Sequence, residues 1–245
     1  MTTTPQAAAA ATKDLPLPDT DDERVVGFGV MGLPFANGHY LAYRDFPETS
    51  FSPAYKSVWH RTPDGVWTFY ATTPGPQSCS RYFSSATDVD PVVCDIDAHW
   101  PTPWSLMISI AGVMDWRVDI SDTPATRAMT AVGSRMPTAA RRSRRMLRFM
   151  SPVVGPLLGL GRIQLTGNLP NGQEFRIAPR QMWAVADSSA VVHGVDLGPV
   201  GPHPVQGSLA DFWLPQRGVC VIAQGLFEAF DVARHRDADR LGLSE

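Results

Sequence analysis

Apolar and polar residues alternate along much of the chain, which is the pattern of strands with one face in a core and the other in water. Two turn sequences, Pro63-Asp64-Gly65 and Pro170-Asn171-Gly172, combine a proline that presets φ with a glycine that allows a positive φ, as tight hairpins require. The stretches predicted as strands are 57–62, 66–73, 92–100, 106–110, 114–120, 162–166, 174–177, 182–186, 190–195, 208–213 and 218–227. This pattern predicts a mainly β protein with roughly ten strands.

The period changes to a helical one between residues 123 and 151. Thr123 is a suitable N-cap and Pro124 a suitable first helical residue, and Ala125, Ala128, Met129 and Val132 then share one face. A second helix is predicted from about Thr138 to Met150, with Pro152 and Pro156 expected to stop it. The expected fold is therefore one antiparallel β-barrel or half-barrel, with a helix pair inserted at 123–151.

The two ends of the chain differ in composition from the middle. Residues 1–23 combine an alanine run with prolines and an acidic cluster, which predicts a disordered tail. Residues 232–245 are predicted to be a charged C-terminal tail, leaving a single β-rich domain over 24–231. No basic, apolar secretion signal is visible near residue 1, so we expect a cytoplasmic protein.

Composition narrows the classes of function. Hydrophobic residues make up 44% of the chain and charged residues 18%, which is enough for a large core. The net charge of −3 argues against bulk binding of nucleic acid. The three cysteines, Cys79, Cys94 and Cys220, lack CxxC spacing, which argues against a zinc ribbon or a disulfide scaffold, and we expect no metal.

A GxGxxG sequence occurs at Gly27–Gly32, but its context does not suit a dinucleotide site. Such a site needs a strand before the glycines and a helix that opens on them. Here Pro34 follows at once and the next residues are strand-like. We therefore expect no cofactor, and we interpret the glycines as part of a strand that packs closely against an aromatic side chain.

The aromatic strands carry a resemblance to a known group. The segment Trp59–Tyr70, with its Pro-Asp-Gly turn, and the segment Met114–Val118 resemble lipocalin-like barrels. The most similar members of that group are carotenoid hydratases, AttH-like proteins and barrel-shaped pericyclic cyclases. The resemblance covers about residues 50–120 and 160–230, and it implies a barrel cavity that holds an apolar molecule of isoprenoid or polyketide size.

One strand face groups two carboxylates with a histidine. Asp95, Asp97 and His99 alternate with Cys94, Ile96 and other less polar residues, so they lie on the same side of a strand. If that side faces the lumen, these three are the expected catalytic acid–base groups, since enclosed carboxylates hold their protons. If it faces outward, they are ordinary solvated residues.

Aromatic and basic residues of the predicted strands are the candidates for contact with the ligand. Four tryptophans lie in or beside predicted strands and are expected in the core: Trp59, Trp67, Trp116 and Trp183. The expected ligand-binding residues are Trp59, His60, Trp67, Tyr70, Tyr82, Trp116, Arg117 and His193. For the histidines, a buried ring bonded to a neighbour is the simpler interpretation.

The second helix carries four arginines on one side, Arg141, Arg144, Arg145 and Arg148. Three interpretations are open: a solvated face behind an apolar stripe, peripheral contact with an anionic membrane, or contact with nucleic acid. The first is the simplest, and the third lacks aromatic residues interleaved with the charges.

Two further classes of function remain beside the expected one. The expected function is binding of an apolar small molecule, with or without cofactor-free, non-redox chemistry such as hydration, isomerisation or cyclisation. The first alternative is a non-catalytic carrier or a membrane-surface module. The second is a structural or oligomeric protein, for example a homodimer, whose aromatic faces are buried against a partner.

Overall fold

A computed structural model describes residues 3–83, 86–87 and 90–236. Within them the chain forms fourteen strands. Their bounds are β1 Glu23–Pro34, β2 Tyr40–Thr49, β3 Tyr55–Arg61, β4 Trp67–Ala71, β5 Val92–Val93, β6 Asp97–Thr102, β7 Ser105–Ile110, β8 Met114–Ser121, β9 Thr166–Asn168, β10 Glu174–Val192, β11 Val195–Asp196, β12 Ser208–Leu209, β13 Phe212–Trp213 and β14 Val219–Phe227.

One large sheet holds twelve of these strands. Its order is β5-β4-β3-β2-β1-β14-β10-β8-β7-β6, with β9 and β11 also paired to β10, while β12 and β13 form a separate ribbon. The sheet curls into a half-barrel, which confirms the predicted fold class. One detail differs from an antiparallel sheet: β5 runs parallel to β4, because 20 residues separate Ala71 from Val92 and a longer connection permits a crossover.

Both predicted hairpins are confirmed, and the stretches predicted as separate strands at 182–186 and 190–195 lie largely within one strand. β3 pairs with β4 and β9 with β10 around the Pro-x-Gly turns, where Gly65 and Gly172 have positive φ. At Asp187-Ser188-Ser189, however, the chain does not turn, and β10 continues through with a register shift. The buried Ser188 hydroxyl is satisfied there by neighbours on β8, so its polarity does not require a loop.

The helices differ in number and length from the predicted pair. They are α1 Pro5–Ala10, α2 Ser80–Phe83, α3 Pro124–Arg135, α4 Thr138–Arg142 and α5 Arg144–Leu158, with short 3₁₀ segments at Ala11–Asp14 and Gly75–Gln77. α3 begins at the Thr123 cap as predicted. The second predicted helix breaks at Ser143, whose hydroxyl accepts from the Met146 N–H and starts α5.

α5 also runs past both prolines that were expected to stop it. Pro152 and Pro156 lie inside the helix, which ends at Gly159 in the left-handed conformation. A proline costs a helix one N–H bond, and packing of the buried residues Leu147 and Val154 offsets that loss. No helix among residues 3–83, 86–87 and 90–236 is long and apolar enough to cross a bilayer.

Within residues 3–23, where a disordered tail is predicted, the structure has the short helix α1. The Thr4 hydroxyl caps α1 by accepting from the Ala7 N–H, and Ala8 and Ala9 are buried in the core. Alanine has the best helix propensity, so this run can form a short helix once the core gives it a surface to cover. Of the predicted C-terminal tail, residues 237–245 lie outside the described residues.

The sheet has a core on each side. The four tryptophans expected in the core are all buried, Trp116 on one side and Trp59 and Trp67 on the other. β8 alternates cleanly, with Met114, Trp116, Val118 and Ile120 inward. β3, in contrast, is buried on both faces, since Val58 belongs to the core of Trp116 while Trp59 faces away from it.

Candidate functional site

A cavity lies on the Trp59 side of the sheet, against β1, β2, β3 and β14. The volume open to water is about 60 Å³. Nearly all of its wall is apolar, and the polar side chains in it are those of Arg44, Tyr55, Cys79 and Tyr82. The remaining lining residues are Val25, Gly27, Phe28, Gly29, Met31, Phe46, Trp59, Phe83, Ile177, Phe212, Val221, Ala223, Gly225 and Phe227.

Glycines of β1 make room for this cavity and bring β2 close. A Cβ on Gly27 would lie 2.1 Å from the carbonyl oxygen of Asp45, and one on Gly29 would lie 2.2 Å from that of Tyr43. Both glycines belong to the GxGxxG sequence, which lies entirely within β1. The interpretation of these residues as a closely packed strand is therefore confirmed, because no helix opens on Gly32.

Arg44 is the charged residue of the cavity. It extends from β2, where Gly29 and Ser57 are its partners on the neighbouring strands, and it is only 4% exposed. Its Cζ lies 3.7 Å from the centroid of the Trp59 ring. Neither Nη1 nor Nη2 has a hydrogen-bond partner among the described residues.

Burial of an arginine in this setting lowers the stability of the fold. Burial lowers the pKa of the guanidinium, yet arginine keeps its proton at neutral pH. A buried charge without hydrogen bonds costs several kcal/mol, and a cation–π contact offsets about 2 kcal/mol of that cost. The arrangement thus leaves two strong donors without an acceptor among the described residues.

A thiol and two hydroxyls lie close to Arg44, and of these the Cys79 thiol and the Tyr55 hydroxyl belong to the cavity wall. The Tyr55 hydroxyl donates to Cys79 Sγ at 3.4 Å, and Ser57 Oγ lies 3.4 Å from the same sulfur. Burial raises the pKa of Tyr55 well above its ordinary value, so this phenol stays protonated. These groups satisfy one another and leave the guanidinium without an anionic neighbour.

The second buried arginine of this region, Arg81, is paired. Its Nη2 donates to Glu23 at 2.7 Å, and the Tyr82 hydroxyl donates to the other oxygen of the same carboxylate at 2.7 Å. Burial, with a further contribution from the charge of Glu23, raises the pKa of Tyr82. Tyr82 thus connects the cavity wall to a complete ion pair on β1 and α2.

A second apolar cavity of similar size adjoins the first. It lies between α5 and the sheet, with Val154 and Leu160 on the helical side. Four residues line both cavities, namely Met31, Ile177, Phe212 and Val221. Movement of these side chains would therefore lengthen the space available beyond Arg44.

The three expected catalytic residues lie on the solvent side. Asp95, Asp97 and His99 are all exposed, and none lines either cavity. His99 Nδ1 lies 3.0 Å from Asp97 Oδ2, with side chains 61% and 70% exposed. The strand predicted over 92–100 is divided, because β5 ends at Val93 and β6 begins at Asp97, and the polar side of this segment is the outward one.

The expected ligand-binding residues divide into four groups. Trp59 and Tyr82 line the cavity. Trp67 and Trp116 are packed in the core, and Arg117 lies on the surface beside Asp119. The rest belong to a cluster at the far end of the sheet, comprising His60, Tyr70 and His193.

Two close pairs of rings make up that cluster. His39 Nδ1 lies 2.9 Å from His60 Nε2, and Tyr70 Oη lies 3.3 Å from His193 Nε2. Burial, followed by the charges of His39 and His193, lowers the pKa of His60 to about 4. His60 is thus a buried histidine bonded to a neighbour, as the simpler interpretation has it.

No motif in the sequence marks Arg44 as a binding residue. It lies in the segment Tyr40-Leu41-Ala42-Tyr43-Arg44, where four nonpolar residues precede the charge. A continuous nonpolar run indicates a strand buried on both faces. An arginine that continues such a run is expected to be buried too, and that was the available signal.

Comparisons with known proteins found similarity to a few solved structures only. No protein-family model matches the chain, and no curated protein matches its sequence. Among solved structures, acetoacetate decarboxylase from Legionella pneumophila is similar with a TM-score of 0.38 and 8% identity, over 88% of each chain. A second structure of acetoacetate decarboxylase has a TM-score of 0.39 and 7% identity, over 86% of this chain and 88% of that one.

Similarity at this level carries no argument about activity. Both of these neighbours are acetoacetate decarboxylases and neither is a carotenoid hydratase, so the resemblance to the lipocalin-like group stays a prediction. The function is therefore argued from the cavity itself.

Proposed function

We propose that the protein binds a small carboxylic acid in the cavity, with the carboxylate on Arg44 and the apolar part against the aromatic wall. The observation that carries this proposal is a buried guanidinium, on a residue of the cavity wall, whose Nη1 and Nη2 have no hydrogen-bond partner among the described residues. A carboxylate matches the planar fork of arginine and would neutralise its charge.

The cavity volume sets the size of the ligand. A buried water needs about 10–15 Å³ of such space, so 60 Å³ holds roughly four to six water-sized groups. That favours a short-chain acid over the isoprenoid- or polyketide-sized molecule expected from the sequence. A longer chain would have to open the way into the second cavity past Phe212 and Met31.

Calorimetric titration with straight-chain carboxylates from acetate to octanoate tests this proposal. We expect affinity to rise with chain length until the cavity is filled, and the amide of the best acid to bind about tenfold more weakly or worse, because it lacks the charge. Arg44→Gln should weaken binding of the acid by about tenfold or more and leave binding of the amide nearly unchanged.

Arg117→Gln is the matched control, since it removes an arginine from the surface and changes the net charge by the same amount as Arg44→Gln. Equal affinity for acid and amide would contradict the proposal, as would an Arg44→Gln protein that binds the acid normally. Loss of acid binding in Arg117→Gln would restore the earlier prediction for that residue.

A cofactor-free, non-redox reaction on the bound acid is the second candidate function. The observation that favours it is the hydrogen bond from Tyr82, in the cavity wall, to the carboxylate of Glu23, because this pair can exchange a proton with a bound molecule. Proton NMR of short-chain unsaturated acids incubated with the protein in deuterium oxide would detect exchange or conversion. Tyr82→Phe should abolish such turnover while the acid still binds, and turnover unchanged in Tyr82→Phe would exclude this role.

A further inference from the structure

The segment from residue 123 to residue 173 has an unusual charge composition. Its 51 residues contain eight arginines and no aspartate, glutamate or lysine, although the whole chain has a net charge of −3. The segment includes α3, α4 and α5. Positive charge is therefore concentrated on the helical side of a protein that is acidic overall.

α5 also exposes large apolar side chains. Phe149 is 77% and Val153 is 55% exposed, whereas Leu147 and Val154, on the other side of the helix, are buried. At about 100° per residue, the exposed apolar side chains fall within an arc of about 80°. They form what we call the α5 ridge: Met146, Phe149, Val153 and Leu157.

Two of the arginines accompany the ridge without a carboxylate partner. Arg144 pairs with Glu174 at 2.8 Å, and Arg141 donates to the carbonyls of Gly133 and Ser134. Arg145 and Arg148 are exposed and form no ion pair among the described residues. Of the four arginines first assigned to a single helix face, these two are thus free to meet an external anion.

We propose that the α5 ridge docks on an anionic membrane surface, with Phe149 and Val153 inserted below the headgroups and Arg145 and Arg148 against lipid phosphates. A helix that lies in the interface presents this combination of an apolar stripe and flanking cations. Apolar side chains exposed beside unpaired cations are favourable there, because the lipid removes the first from water and neutralises the second.

The chemistry of the ridge favours lipid over nucleic acid. A single strand of nucleic acid gains its affinity from bases stacked on aromatic rings, and Phe149 is the one aromatic residue of α5. The exposed aliphatic residues Val153 and Leu157 would gain nothing from a phosphate backbone. A hydrocarbon region bordered by anions suits both kinds of side chain.

Sedimentation with lipid vesicles tests the proposal on the full-length protein. We expect binding to vesicles of equimolar phosphatidylcholine and phosphatidylglycerol, and little binding to phosphatidylcholine alone. Arg145→Gln and Arg148→Gln should each weaken binding about fivefold. Phe149→Ser should weaken it about tenfold or more, while Phe149→Trp restores it.

Controls separate docking from general effects of the substitutions. Val205→Ser removes an apolar side chain of similar exposure outside the helices, and it should leave vesicle binding unchanged. Thermal melting should be the same for all of these surface variants.

Three results would overturn the proposal: no binding to the anionic vesicles, equal losses in Val205→Ser and Phe149→Ser, or tighter binding to single-stranded RNA than to vesicles. A ridge that pairs two copies of the chain would show as a dimer that Phe149→Ser dissociates while vesicle binding stays absent.

Discussion

Trp116 and Trp59 are buried on opposite sides of the sheet, and their surroundings differ. Trp116 donates its Nε1–H to Ser188 Oγ at 2.8 Å, and that hydroxyl donates to the carbonyl of Arg117 at 2.6 Å. Trp59 is buried as completely, yet its Nε1 has no partner among the described residues. Beside Trp59 lie the Arg44 guanidinium and the cavity.

The polar groups around Trp116 are hydrogen-bonded, whereas the Trp59 side contains polar groups without partners among the described residues. Each polar atom of the Trp116 arrangement has its hydrogen bond, so this side contributes to the free energy of folding. On the Trp59 side, the fold tolerates a buried charge and empty volume, both of which are destabilising. Sites that bind ligands are where such costs are expected to persist.

The largest expected effect is on the satisfied side. Trp116→Ala should lower the free energy of unfolding by about 3–5 kcal/mol, because it removes a large buried ring and leaves Ser188 without its donor. The denaturant midpoint of the variant measures this loss. A midpoint equal to that of the unmodified protein would show that Trp116 contributes no packing energy.

Glu23→Gln tests the paired arginine of the cavity region. Removal of the carboxylate leaves Arg81 charged and largely buried, so we expect a loss of about 3 kcal/mol in the free energy of unfolding. The double variant Glu23→Gln/Arg81→Met should recover part of that loss. A double variant less stable than the single one would contradict the view that the unpaired charge is the cause.

Arg44→Met should have the opposite sign. The methionine fills similar space without a charge, so we expect the free energy of unfolding to rise by about 1–2 kcal/mol when no ligand is present. A short-chain acid should stabilise the unmodified protein but not the variant. Arg44→Lys keeps the charge and serves as the control, and a destabilised Arg44→Met protein would show that the fold already compensates the guanidinium.

The smallest effects are expected on the exposed face of β6. Asp97→Asn and His99→Gln should change the free energy of unfolding by no more than about 0.5 kcal/mol, since both side chains are in water. Binding of the acid should also be unchanged. A loss of binding in either variant would bring this face back as a candidate for the site.

Predictions from the sequence were most accurate where one face of a strand meets water. Along β8 the alternation of apolar and charged residues gave the inward side of Trp116 directly. Along β2 and β3 it could not, because residues on both faces are buried and the pattern carries no direction. Around β6 the strand pattern shows which residues share a face, but not what covers that face. This is why catalytic residues were expected on a face that lies in water.

Local chemistry in the sequence determined most of the strands from residue 57 onward, the two Pro-x-Gly hairpins and the cap of α3, since each depends on residues a few positions apart. Only the tertiary structure decided that the sheet would be covered on both sides around β2. It also decided that Glu23 would meet Arg81, 58 residues away, and that Arg44 would have no such partner. The site arises from these long-range contacts. Whether a buried arginine has a carboxylate partner depends on residues that are distant in the chain, and no local pattern specifies them.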